Sequence, residues 1–203
     1  MIEFFINQYK NASTIQILLE AFAFIFGIIS VFCAKKENIW VYPTGIVSTI
    51  ITIYLMYQAN YFGDMTMNFY YTIMSFYGWY LWTKKMDQPN LEISRTTNQE
   101  KRIGFFLFLL TMIFTYFVYV FFGTKLEIPN YIDIFTSGMF FTAMWFMAKK
   151  KIENWSLWII ADLIAVPLFA YRGLGMIALQ YFIFTILAIL AYIEWNKILA
   201  KKS

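Results

Sequence analysis

Seven apolar stretches follow one another along this chain, at about 15–34, 39–59, 62–82, 103–122, 131–148, 154–171 and 174–195. Each is near the ~20 residues that cross a hydrocarbon layer as a helix. A bilayer interior accepts only helices or closed barrels, because every backbone polar group there must be bonded internally. Barrel strands alternate apolar and polar residues over ~10 positions, and no stretch of this sequence does. The composition agrees: 61% of residues are hydrophobic and 14% charged, against about a quarter charged in soluble domains. The expectation is one all-α membrane protein, a single helical unit.

Basic residues set an orientation. With the N-terminus outside, only Lys10, Lys125 and Arg172 fall on the outer side, and the other thirteen of the 16 Lys and Arg fall inside. That bias predicts an N-out, C-in topology with an odd number of spans. The net charge of +4 belongs to this pattern and not to nucleic-acid binding, because the basic residues lie between apolar spans. The first residues mix Glu, Asn, Gln and Lys without a basic region ahead of the apolar run, so no cleavable signal peptide is expected.

A weak repeat runs through the chain. Ala34-Lys35-Lys36 recurs as Ala148-Lys149-Lys150, Glu37-Asn38 as Glu153-Asn154 with Trp40 and Trp155 beyond, and Trp82 as Trp195. This divides the chain into a first three-helix repeat (15–82), a connector helix (103–122) and a second three-helix repeat (131–196). The odd connector makes the repeats parallel, a known transporter architecture with its site between the repeats. A polar linker at 83–102 joins the third span to the fourth.

Several chemistries are excluded. The chain has no His and one cysteine, Cys33, so His-based acid–base catalysis, His metal sites and internal disulfides are ruled out. No HExxH, GxSxG or Walker motif occurs. Neither an enzyme nor a bound cofactor or metal is expected.

The candidate site begins on the sixth span. On a helix, Asn154, Trp155, Trp158 and Asp162 fall within about 100° of one face. An amide, two indoles and a carboxylate form a clamp suited to a small polar ring compound. An Asp near the middle of a span costs roughly 2.5–3.5 kcal/mol to insert. The groups that can answer it are hydroxyls, amides, water, a proton or a cationic substrate, since no Lys or Arg lies at similar depth. Pro167 follows and is expected to kink the helix.

The third span carries a comparable stripe: Asn68, Tyr71, Thr72, Ser75, Trp79 and Trp82. Ser and Thr on such a face also serve helix packing. Asn68 and Trp79 are read as ligand contacts and Trp82 as an interfacial anchor. The second span's stripe of Gly45, Thr49, Thr52 and Met56, with Tyr42 beside it, is read as packing. Gln180 on the seventh span is either interhelical glue or a ligand contact. Glu20 is read as snorkelling to the surface, and Asp64 and Asp133 as hydrated outer ends.

These residues resemble the PnuC-type family of bacterial vitamin transporters. The resemblance rests on Tyr77-Gly78-Trp79-Tyr80-Leu81-Trp82, on Asn154-Trp155-Ser156-Leu157-Trp158 with Asp162 behind it, and on Tyr171-Arg172-Gly173-Leu174. It implies a fold like that of the SWEET sugar transporters. It also implies uptake of nicotinamide riboside across the inner membrane by facilitated diffusion, with trapping by a cytoplasmic kinase. A homo-oligomer, a trimer, is implied too. The implied ligand contacts are Trp155, Trp158, Asn154, Asn68 and Gln180. Asn68 stands where relatives tend to carry Gln, so thiamine and riboflavin remain alternative ligands. The rival reading is a membrane module that transports nothing.

Overall fold

The computed structural model describes residues 13–58, 62–84, 91–123 and 125–201. Among the described residues there are seven helices: α1 (Thr14–Lys35), α2 (Val41–Gln58), α3 (Phe62–Lys84), α4 (Asn98–Phe121), α5 (Ile128–Ala148), α6 (Glu153–Tyr171) and α7 (Gly175–Ala200). Among the described residues there is no β-sheet, only one isolated bridge between Ser94 and Lys151. The helices coincide with the seven apolar stretches to within a few residues. Four of them, α1, α4, α6 and α7, are long and apolar enough by composition to cross a membrane. The other three are of comparable length and more polar, and their hydroxyls are used inside the fold.

Helix starts follow local chemistry. Ser13 accepts a hydrogen bond from the Gln16 N–H at 3.2 Å, and the Gln16 side chain accepts one from the Ser13 N–H at 3.0 Å. This reciprocal cap fixes the start of α1. Thr97 and Glu100 form the same cap at α4. Read from sequence alone, the linker extends to residue 102; the cap instead starts the helix at Asn98, before the apolar run begins.

Six helices close into a ring. α1 packs on α2, α2 on α3, α3 on α5, α5 on α6, α6 on α7, and α7 returns to α1. α4 lies outside the ring against α5. Close approach of α4 depends on small residues: a Cβ at Gly138 would meet Phe108 at 2.8 Å, and one at Gly104 would meet Phe146 at 2.7 Å. In the first half, hydroxyls bond helix to helix. Ser30 Oγ donates to the Val41 carbonyl and Ser48 Oγ to the Ala23 carbonyl, both at 2.7 Å, and the Thr49 and Thr72 hydroxyls lie 2.7 Å apart. The packing role expected for the second span is what Thr49 performs.

The two Lys-rich turns repeat the same bonding. Lys36 N–H reaches the Cys33 carbonyl at 3.1 Å, and Lys149 N–H reaches that of Phe146 at the same distance. Asn38 N–H returns to Cys33 and Lys151 N–H to Phe146, both at 2.9 Å. Glu37 and Lys150 occupy the same left-handed position, with φ of 53° and 52°, and they stand 113 residues apart. This register pairs Asn38 with Lys151 and Tyr42 with Trp155. It corrects the pairing of Glu37-Asn38 with Glu153-Asn154 and of Trp40 with Trp155. Backbone geometry sets the register here, and the matching Glu-Asn letters do not; Trp40 is 61% exposed.

The linker docks on the second of these turns. Ser94 N–H donates to the Lys150 carbonyl at 3.1 Å, Ile152 N–H to the Ser94 carbonyl at 3.0 Å, and Thr96 N–H to Glu153 Oε2 at 3.0 Å. Glu100 pairs with Lys151 at 3.0 Å and with Lys149 at 3.7 Å. The N-terminus of α6 is therefore held by the linker and the start of α4. α6 continues through Pro167 as one helix to Tyr171. A proline in a helix interior removes one backbone bond, so the expected disturbance does not end the element.

Candidate ligand site inside the helix ring

α6 carries one wall of the site. Asn154, Trp155 and Asp162 are 0%, 2% and 1% exposed. Asn154 donates through Nδ2 to the Lys151 carbonyl at 2.6 Å, which fixes the amide and leaves Oδ1 facing away from that turn. Four buried atoms on this helix have no hydrogen-bond partner among the described residues: Asn154 Oδ1, Trp155 Nε1, Trp158 Nε1 and Asp162 Oδ1. The two oxygens are acceptors and the two indole nitrogens donors. Buried polar groups are nearly always bonded, and each exception calls for a reason. Four such groups within a short run of one helix, about 12 Å of axial length, match a ligand that offers both donors and acceptors.

Rings complete the wall. Trp158 meets Tyr71 of α3 at 6.4 Å and Phe140 of α5 at 5.3 Å between centroids. Phe140 stacks on Tyr181 at 5.8 Å, and Tyr181 on Phe169 at 5.1 Å with only 8° between planes. The Arg172 guanidinium lies 5.6 Å from the centre of Phe169. A continuous aromatic series thus runs from Trp158 to the end of the molecule opposite the Lys-rich turns. Phe140 and Phe169 are invisible to sequence reading, because a phenylalanine in an apolar helix carries no distinguishing signal.

That opposite end is bonded. Tyr119 of α4 donates to Asp133 Oδ2, and Arg172 donates to the Pro129 carbonyl at 3.3 Å. Burial works against the Arg172 charge, yet Asp133, with Tyr119 and Asp64, outweighs it and holds the guanidinium above its ordinary pKa. Asp133, read from sequence as a hydrated outer end, instead sits in this network; the fold brings α4 alongside it, which helical periodicity does not reveal.

The remaining expected contacts come from other helices. Asn68 is half-buried and donates to the Asp64 carbonyl at 2.9 Å. Gln180 sits at the α1–α7 seam, where a Cβ added to Gly27 would meet its Nε2 at 3.9 Å. Trp79 is 38% exposed on the outer side of α3, so the structure does not gather it with Trp158. A stripe 100° wide fixes which residues share a face, but a turn of the helix against its neighbours decides which edge of that stripe points inward.

Trp82, read as an interfacial anchor, is buried at 6%. Its Nε1 donates to the Ala148 carbonyl at 3.2 Å, and Trp195 Nε1 donates to the Lys35 carbonyl at 3.2 Å. Each indole caps the last turn of the first helix in the other half. Tyr42 stands edge-on to Trp82 at 5.1 Å and 87°, and Trp155 edge-on to Trp195 at 5.4 Å and 87°. Lys150 Nζ bonds Glu37 at 2.9 Å and lies 4.5 Å above the Trp82 ring. The Lys-rich end of the ring is thereby closed by two equivalent aromatic pairs and one ion pair.

A ring of membrane-length helices, in a chain whose α1, α4, α6 and α7 are apolar enough to cross a bilayer, defines a multi-pass helical membrane protein. Residues 17–197 match the family described as "Nicotinamide mononucleotide transporter", and the chain belongs to that family. It is similar to the "Nicotinamide riboside transporter PnuC" of Escherichia coli strain K12, 24% identical over 195 residues, covering 84% of this chain and 82% of that protein. The protein of the same description from Neisseria mucosa is 23% identical over 199 residues, covering 91% of this chain and 74% of the relative. A solved structure described as "Crystal structure of the Vitamin B3 transporter PnuC" matches the whole chain and 88% of its own, with a TM-score of 0.75 at 20% identity. The fold is shared with that transporter, and the relatives are named as transporters.

Proposed function

We propose that this protein carries nicotinamide riboside across the bacterial inner membrane by facilitated diffusion. The Lys-rich turns face the cytoplasm, where a kinase traps the product by phosphorylation. The observation that carries the reading is the set of four polar atoms on α6, unpartnered among the described residues, beside the ring of Trp158. Nicotinamide riboside is a cationic aromatic with a carboxamide and ribosyl hydroxyls. Its pyridinium stacks on Trp158 with Tyr71 and Phe140 around it, an interaction of about 0.5–2 kcal/mol when desolvated. Asp162 supplies negative charge, Asn154 accepts from the ligand, and the two indole N–H groups donate. Asn68 and Gln180 extend the contacts from α3 and α7. The unit of function is a homo-oligomer, a trimer, and the substrate in the relatives' names supports the choice of ligand.

Calorimetric titration of purified protein with nicotinamide riboside, thiamine and riboflavin tests the ligand. Nicotinamide riboside is expected to bind, and Trp158→Ala to weaken it by about 1–3 kcal/mol. Tighter binding of thiamine would replace the substrate and keep the mechanism. No binding and no uptake for any of the three would leave a membrane module without transport.

A further inference from the structure

Tyr42 is 1% exposed, and its hydroxyl has no hydrogen-bond partner among the described residues. It is the position on α2 equivalent to Trp155 on α6. Both follow the Lys-rich turn by the same bond: Tyr42 N–H reaches the Ile39 carbonyl at 3.2 Å, and Trp155 N–H reaches that of Ile152 at 3.1 Å. Both stand edge-on to the tryptophan that caps the opposite half. Both belong to one buried cluster that also contains Trp82 and Trp195 and has Trp158 packed against it. Both leave a polar atom unbonded at the same level of the ring.

Packing alone explains a phenylalanine at this position. The ring of Tyr42 lies directly over Gly78 of α3, where a Cβ would collide with it and would stand 2.6 Å from the hydroxyl oxygen. The glycine is thus the space the ring occupies. The oxygen adds nothing to that packing and costs stability by losing water. A buried hydroxyl without a protein partner calls for a reason, and a bound ligand that supplies the bond is one.

We infer that Tyr42 is a ligand-positioning residue: its hydroxyl and the Trp155 indole N–H are the equivalent groups, one from each half, that receive the hydroxyl-bearing end of the ligand at the Lys-rich end of the site. The inference rests on the transport reading above and supplies its first-half contact. The aromatic end of the ligand lies toward Trp158 and Tyr71, nearer the middle of the helices. The polar end then lies between Tyr42 and Trp155, where the two halves meet.

The test is Tyr42→Phe, which keeps the ring over Gly78 and removes one oxygen. Calorimetry with nicotinamide riboside is expected to show about a tenfold loss of affinity, the scale of one hydrogen bond. The melting temperature of the ligand-free protein is expected to stay level or rise, because an unbonded buried hydroxyl is gone. Unchanged affinity overturns the inference, and so does a lower ligand-free melting temperature, which marks the hydroxyl as structural. Gly78→Ala, which displaces the ring, is expected to weaken binding as well; binding unaltered in that variant counts against it. Should the unmodified protein bind none of nicotinamide riboside, thiamine and riboflavin, the transport reading fails and takes this contact with it. Should it bind and Tyr42→Phe bind equally, only the contact fails.

Discussion

Asp162 is an expensive side chain to place in a bilayer interior. It is 1% exposed on a helix of membrane length, and one carboxylate oxygen is unbonded among the described residues. Asp162→Asn keeps the shape and removes the acid. It is expected to raise the melting temperature of the ligand-free protein and to lower uptake of the cationic nicotinamide riboside about tenfold, the scale of removing one charge pair from a desolvated site. Stabilisation with transport intact would make Asp162 structural. The four α6 residues are legible from sequence because a single helix carries them, and 3.6-residue periodicity is enough to put them on one face. Trp79 and Gln180 are not placed by the same logic, since nothing in a period tells which helix a face meets. Trp82 misleads for another reason. Tryptophan near a span end serves as a lipid-interface anchor in general, and only the fold shows its N–H bonded to Ala148.

At the scale of elements, the two Lys-rich turns hold the halves together. Trp82 and Trp195 each reach across to the last carbonyls of the opposite half. Trp195→Ala is expected to cost about 3–5 kcal/mol, because it removes a fully buried ring and a bond together. Trp195→Phe, which loses the N–H and part of the volume, is expected to cost less, and denaturation of the two variants side by side separates the contributions. The Glu37–Lys150 ion pair is half-shielded, with side-chain exposures of 28% and 15%. Lys150→Glu is expected to lower stability by about 1 kcal/mol, and adding Glu37→Lys to recover most of it. Failure of the double change to recover would show that the pair does not bond in solution. Helix existence and order are readable from hydropathy alone. The start of α4 is not, because the Thr97–Glu100 cap is a local feature outside the apolar run. The register of the repeat is equally hidden, because it resides in turn hydrogen bonds and two left-handed residues, where chemically unlike side chains fill equivalent places.

For the whole molecule, a ring of six helices with α4 outside it puts the proposed ligand site between two three-helix units. We propose that these units rock against each other to open the site to one side at a time. The Lys-rich end is closed by the Tyr42–Trp82 and Trp155–Trp195 pairs, and the opposite end by the series from Phe140 to Arg172. In proteoliposomes, uptake of nicotinamide riboside is expected to run downhill and to stop at equal concentrations with or without a pH gradient. Accumulation driven by a gradient would instead assign Asp162 a proton-carrying role.

The ion pair between Glu37 and Lys150 joins positions that are geometrically the same and electrically opposite. Two copies of the first half, brought together about the same axis, would face acid with acid; two copies of the second half would face base with base. Neither homodimer could make the bond that the joined chain makes. The two halves are complementary at their meeting point, and a single half expressed alone is disfavoured from pairing with itself.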